Sequence, residues 1–114
     1  MRLKANSEEI KIRLRKLAHD LEEAHKDVLN NIVPAVLVII HIPETGEKMF
    51  FAVGEGSIKE TLPTHSMKDK ILISYRDFFH VLEKPQRILN YLLKGKVKIE
   101  GDFKRVVNTF SSFL

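Results

Sequence analysis

The sequence predicts an α+β fold: a five-stranded, mostly antiparallel sheet covered by helices. Three observations carry this. Residues 6–31 repeat apolar side chains at alternating steps of four and three (Ile10, Leu14, Leu17, Leu21, Ala24, Val28), the period of one helix face. Residues 35–62 instead hold short valine-, isoleucine- and phenylalanine-rich runs cut by proline and glycine. Residues 94–107, KGKVKIEGDFKRVV, then place a glycine-ended helix, an alternating strand and the opening of a new helix in fourteen residues.

Each element follows in order. Asn6 with Glu9 three residues later makes a capping-box-like start to one long first helix. Its outer face begins basic (Lys11, Arg13, Arg15, Lys16) and turns acidic (Asp20, Glu22, Glu23, Asp27), and Pro34 ends it. Residues 35–42 and 49–53 read as two strands joined by the turn-forming connector Pro43-Glu44-Thr45-Gly46-Glu47-Lys48. Gly54-Glu55-Gly56 turns into a third strand over 57–62, and a fourth spans 71–75 after an exposed loop. A short helix over 76–82 carries Phe78, Phe79 and Leu82 on one side, and Pro85 sits in the first turn of another running to Leu93. Gly95 occupies a left-handed helix end, and residues 96–99 alternate as a fifth strand with Val97 and Ile99 inward. Asp102 caps a closing helix whose stripe is Phe103, Val106, Val107, Phe110 and Phe113. Residues 1–114 form one domain, with the amphipathic helix over 1–33 and the sheet, later helices and closing helix over 34–114.

Composition narrows the function. The chain is 44% apolar and 30% charged, as in soluble globular proteins. It has no cysteine, which excludes disulfides, thiol catalysis and thiolate metal sites. A net charge of +4 is spread among acids instead of concentrated, which argues against nucleic acid and leaves weak attraction to an anionic membrane surface. The N-terminus lacks the apolar core of a signal peptide. The most hydrophobic run, residues 32–42, falls short of the ~20 residues of a membrane helix. A soluble cytoplasmic protein is the expectation.

Catalytic signals are sparse. Gly54-Glu55-Gly56 lacks the third glycine and following helix of a dinucleotide fingerprint, and Gly95-Lys96 lacks the upstream glycine of a P-loop and precedes a strand. Among His19, His25, His41, His65 and His80, only His25 forms a Glu-x-x-His pair, with Glu22, where a di-iron site needs two. Ser57 and Ser74 have no neighbouring base, and Asp77 and Asp102 read as first-turn acids or caps; whether they and Asp69 pair in space is not legible. No enzyme, cofactor or metal is expected. The seven phenylalanines are the more telling set, since adjacent Phe50 and Phe51 must face opposite sides of their strand. One of them therefore serves a second apolar face, a cavity or an interface.

Residues 71–103 resemble the C-terminal half of the sterol carrier protein type-2 domain family. The matching pieces are the strand ILIS, the helix start Arg76-Asp77-Phe78-Phe79, the helix with LLKGKV, the KVKIEGD strand and the apolar closing helix. The turn from Glu55-Gly56 into Ser57-Ile58 extends the likeness over roughly residues 30–114, with Gly-Lys-x-Lys-Ile-x-Gly-Asp its most specific string. The resemblance implies five strands covered by helices around an apolar tunnel that binds fatty acids, acyl-coenzyme A, phospholipids or sterols without catalysis. Carried over, the tunnel lining is Phe51, Val53, Ile58, Phe78, Phe79, Leu82, Leu89, Leu92 and Phe110, while the Gly-Asp motif is structural. The chain departs in its single heptad-like first helix and in ending with the closing helix, which would leave the tunnel mouth open to a partner or membrane. Two further readings stand beside lipid binding. One is an interaction module with a filled core, dimerising through the first helix or exposed phenylalanines. The other is an anionic-polymer binder using Arg13, Arg15, Lys96, Lys98 and Lys104.

Overall fold

Period-two and period-3.6 patterning separate sheet from helices along most of the chain, and a computed structural model describes residues 7–63 and 66–113. The expected cap at Asn6, and His65, lie outside the described residues. Helix α1 (Ser7–Ala24) is followed by the short α2 (Lys26–Asn30), where one helix was expected. His25, at φ −129° and ψ 36°, leaves the helical region between them. The His25 N–H still donates to Leu21 O and the Leu29 N–H to His25 O, both at 3.0 Å. The consequence is a one-residue step in the buried stripe: Leu29 is fully buried, whereas the expected Val28 is partly exposed and Ala24 is exposed.

Strands β1 (Val36–Ile42), β2 (Glu47–Gly54), β3 (Ser57–Thr61), β4 (Lys70–Ser74) and β5 (Val97–Glu100) form one sheet in the order β3-β2-β1-β4-β5. All neighbours are antiparallel except β1 and β4, so the sheet is mixed but mostly antiparallel. Linking edge strand β3 to inner strand β4 takes the chain across the sheet. The Leu37 N–H donates to Asp69 O at 2.9 Å where that crossing ends, and Leu37 is buried there.

Alternation sorts the two faces. Val36, Val38, Ile40 and Ile42 of β1 point to the helices with Met49, Phe51 and Val53 of β2, Ile71 and Ile73 of β4 and Val97 of β5. Phe50, in register with Ile39, faces the opposite side in a row continued by Leu72. The adjacent phenylalanines thus serve two apolar faces, of which only that of Phe51 is helix-covered.

Helices α3 (Tyr75–Glu83), α4 (Arg87–Leu93) and α5 (Phe103–Ser111) complete the layer. Ser74 caps α3 by accepting from the Asp77 N–H at 3.2 Å. Pro85 precedes α4 instead of sitting in its first turn: the Arg87 N–H donates to Lys84 O and the Ile88 N–H to Pro85 O, forming a turn from which α4 starts. At the other end of α4, the Lys96 N–H bonds Tyr91 O at 2.9 Å and the Gly95 N–H bonds Leu92 O at 3.1 Å, a Schellman pair closed by Gly95 at φ 73°.

The KVKIEGD string then has a physical explanation. Asp102 caps α5, accepting from the Arg105 N–H at 3.1 Å, and its own N–H donates to Asp69 Oδ1 at 2.8 Å. Arg105 reaches back to the Asp69 carboxylate at 3.3 Å and donates to the Pro34 carbonyl. A Cβ on Gly101 would meet Asp69 Oδ1 at 2.3 Å and Lys68 O at 2.6 Å, so only glycine lets the two segments approach. Phe103 is 51% exposed, and the stripe of α5 reaches the core only from Val106 onward. Among the described residues no helix is long and apolar enough to cross a membrane.

Candidate functional site: an apolar cavity beneath the helices

Where α1, α3 and α5 meet over β1–β3, the helix layer does not close fully on the sheet. A cavity of about 50 Å³ remains. Leu14, Leu17, Ala18 and Leu21 of α1 form one wall, and Phe78 and Leu82 of α3 with Phe110 and Phe113 form another. Val38, Ile40, Phe51, Val53 and Ile58 make the floor. The one polar lining residue is Thr109, and its hydroxyl is spent on Arg105 O at 2.9 Å. Among the described residues no charged side chain lines the cavity, so what its wall offers is burial and shape.

Ring geometry fixes the wall. Phe78 and Phe110 meet edge to face, with centroids 6.4 Å apart at 82°, and His25 meets Phe113 at 5.2 Å and 80°. Of the nine residues expected to line a tunnel, Phe51, Val53, Ile58, Phe78, Leu82 and Phe110 border this cavity. Phe79, Leu89 and Leu92 do not. Phe79 turns outward beneath the Arg13 guanidinium, 5.1 Å from the ring centroid, because successive residues of a helix are rotated by about 100°. Leu89 is 52% exposed on α4, and Leu92 packs at the core margin away from the cavity. The α1 residues and Val38, Ile40 and Phe113 are lining residues that the sequence placed on apolar stripes or a strand without naming them for the tunnel. Their signal was the same periodic stripe, which does not distinguish a filled core from a hollow one.

Several polar groups outside the cavity are occupied structurally. Glu22, read as solvated, accepts the Ile58 N–H at 2.7 Å and so satisfies a donor of edge strand β3. Arg15 grips Glu60 through Nε at 2.7 Å and Nη2 at 3.2 Å, and Lys11 pairs with Glu47. Glu44 accepts from Tyr75 Oη and from Arg76, both at 2.7 Å. The Tyr75 hydroxyl holds the Glu44 carboxyl below its ordinary range, whereas burial followed by that same contact pushes the Tyr75 phenol up. Asp69 and Asp102 do come together, but one pairs with Arg105 and the other caps α5; Asp77 stands apart at the start of α3. Among the described residues no cluster of three potential metal ligands exists.

The remaining surface expectations fare unevenly. The stripe of α1 buries Ile10 and Leu14 against the sheet, so a dimer through that face would first have to unpack the helix; among the described residues of α1 the one exposed large apolar side chain is Ile12. The five cations of the polymer reading do not form one surface. Arg15 is paired on α1, Lys96 lies 5.2 Å from the Tyr91 ring centroid, and Lys98 is on the sheet face without helices.

No protein-family model matches the sequence, and no curated protein matches it. Solved structures do match its fold. Sterol Carrier Protein 2 Like 2 from Aedes aegypti gives a TM-score of 0.67 at 12% identity, over 90% of this chain and 97% of that one. The ubiquinone synthesis protein UbiJ-SCP2 gives 0.65 at 11% identity over 90% and 94%. A palmitated SCP2L2 from Aedes aegypti gives 0.57 at 13% identity over 84% and 93%. The chain therefore has the sterol-carrier-protein-2 fold, the one its residues 71–103 resemble.

Proposed function

We propose that this fold serves as a non-enzymatic binder of a long apolar ligand, a lipid tail entering the cavity between α1, α3, α5 and the sheet. The observation that carries the reading is the lining itself, fourteen residues of which only Thr109 is polar. The physics of such a site is simple. Each methylene withdrawn from water gains about 0.8 kcal/mol, so a sixteen-carbon tail gains on the order of 10 kcal/mol. Measured against a membrane that gain nearly vanishes, which permits exchange in both directions. That one structure of the same fold carries palmitate supports the class of ligand.

At about 50 Å³ the cavity is far below the ~300–1,000 Å³ of ordinary ligand sites, so a tail enters only if the layer opens. Helix α5 is the natural mover. Its first turn is anchored by Asp69, Asp102 and Arg105, while its far end contributes Phe110 and Phe113 to the wall. The same small volume favours a second reading, an interaction module of this fold with a filled core. Native mass spectrometry of freshly purified protein, followed by titration with a fluorescent fatty acid, separates them. Co-purified lipid or saturable binding near one per chain is expected; neither appearing leaves the interaction module.

A further inference from the structure

The sheet has two faces, and the helices take only one. On the other, Phe50, Ile39 and Leu72 lie side by side on β2, β1 and β4, with Ala52 and Leu37 in the next row. From β2 to β4 this apolar strip is about 10 Å wide at ~4.8 Å per strand, close to the width of a helix. Lysines stand on both sides of it. Alternation puts Lys48 and Lys59 on this face toward the β3 edge, and Lys70 and Lys98 toward the β5 edge.

Charge that looks dispersed along the sequence is therefore gathered here. Against these four lysines the strands bring one acid to this face, Glu100, which leaves it three of the chain's net +4. Lys70 lies 3.9 Å from the Glu100 carboxylate. Lys48, Lys59 and Lys98 are exposed and make no ion pair with any described residue. An apolar strip with a cationic margin on each side is the complement of an apolar stripe with an acidic margin on each side.

Shape selects the partner. Phe50, Ile39 and Leu72 are half-buried among exposed lysines, and the crossing from β3 to β4 runs beside them. A groove of about 950 Å³ is bordered by Ala52 and Lys59 of the sheet and by Met67 and Asp69 of that crossing. A bilayer is entered by apolar side chains that stand proud of their cations, whereas this strip is recessed. The face also lies across the sheet from the cavity, the wrong side for a membrane that exchanges a tail. A second copy opposed face to face would set lysines against lysines.

We infer that the helix-free face docks a partner protein through an acidic amphipathic helix laid along β1. Its apolar stripe covers Phe50, Ile39 and Leu72, and its acids stand beside Lys48 and Lys59 on one flank and Lys70 and Lys98 on the other. Docking here uses nothing of the cavity, so it holds whether or not a tail binds.

The test uses a fluorescein-labelled, stapled helical peptide with a leucine stripe flanked by glutamates, and a stapled peptide of the same composition in scrambled order. Each is titrated against the native chain, Lys48→Glu/Lys98→Glu, Phe50→Ser and Lys94→Glu/Lys104→Glu, the last reversing two charges on α4's end and α5. The native chain is expected to bind the striped peptide at least about tenfold more tightly than the scrambled one. Lys48→Glu/Lys98→Glu should keep the native circular dichroism spectrum and weaken the striped peptide about tenfold, the scale of two exposed ion pairs reversed in sign. Phe50→Ser should weaken it about threefold or more with its salt dependence unchanged. Lys94→Glu/Lys104→Glu should bind as the native chain does. Equal binding of the two peptides, no binding of either, or an equal loss in both charge-reversed chains overturns the docking site. Vesicles of phosphatidylcholine and phosphatidylserine form the last arm. If the native chain binds them, Lys48→Glu/Lys98→Glu does not, and the striped peptide is ignored, the face belongs to a membrane and the protein partner is overturned.

Discussion

Gly101 concentrates the residue-scale logic. It sits at φ 88° where the β5–α5 turn passes the end of the β3–β4 crossing, and a methyl group there would fall 2.3 Å from Asp69 Oδ1 and 3.0 Å from Asp69 Cα. Backbone strain alone costs an L-residue roughly 1–2 kcal/mol in this region. Displacing Asp69 would also disturb the acceptor of the Asp102 N–H and the partner of Arg105. Gly101→Ala is therefore expected to destabilise the fold by about 2–4 kcal/mol in urea unfolding, whereas Asp102→Ala should cost only the ~1 kcal/mol of a lost cap. Equal losses for the two variants would mean that the close approach to Asp69 is not what requires glycine.

Elements are held to one another by apolar stripes and by polar ties placed at their rims, and α1 has both. Beyond Ile10 and Leu14, it is tied to β2 and β3 through Lys11–Glu47, Arg15–Glu60 and the Glu22–Ile58 hydrogen bond. Hydrogen bonding from Lys11 and from Arg15 holds Glu47 and Glu60, respectively, below the ordinary value of 4.5. A carboxyl depressed in the folded state stabilises it above the unfolded pKa and loses that contribution as pH falls through the folded one. Stability is thus expected to be level near neutrality and to fall below about pH 4.5. The Glu47→Gln/Glu60→Gln variant should be less stable at pH 6 and fall less steeply toward pH 3; parallel curves would assign the acid limb to other groups. The elements themselves were legible because their periods differ, and the α5 cap and the Gly95 helix end because their chemistry is local. The break at His25 was not, because apolar residues occupy both the continuing register (Val28) and the shifted one (Leu29), and only packing selects between them. Nor was the Asp69–Arg105 pair, whose partners are far apart in sequence and carry no pattern.

For the molecule as a whole, the question is whether the gap between helix layer and sheet is ligand space or imperfect packing. Six of the nine residues expected to line a tunnel border it, but they are six of its fourteen lining residues, and its volume was not legible because it depends on how far α1, α3 and α5 stand from the sheet. Two substitutions with opposite effects on that volume decide the matter. Ala18→Leu adds bulk to the α1 wall; filling existing space, it should cost less than the ~1–3 kcal/mol of an overpacked core and reduce fatty-acid binding at least about tenfold. Phe110→Ala removes a ring from the α5 wall; it should destabilise the chain by about 3–5 kcal/mol while binding the acid as tightly as the native chain or more so. Stability and binding would then move in opposite directions, because the space that weakens the empty protein is the space the tail fills. If binding instead falls with stability in both variants, the cavity is a packing defect of a filled core, and the partner of this fold is to be sought on its surface.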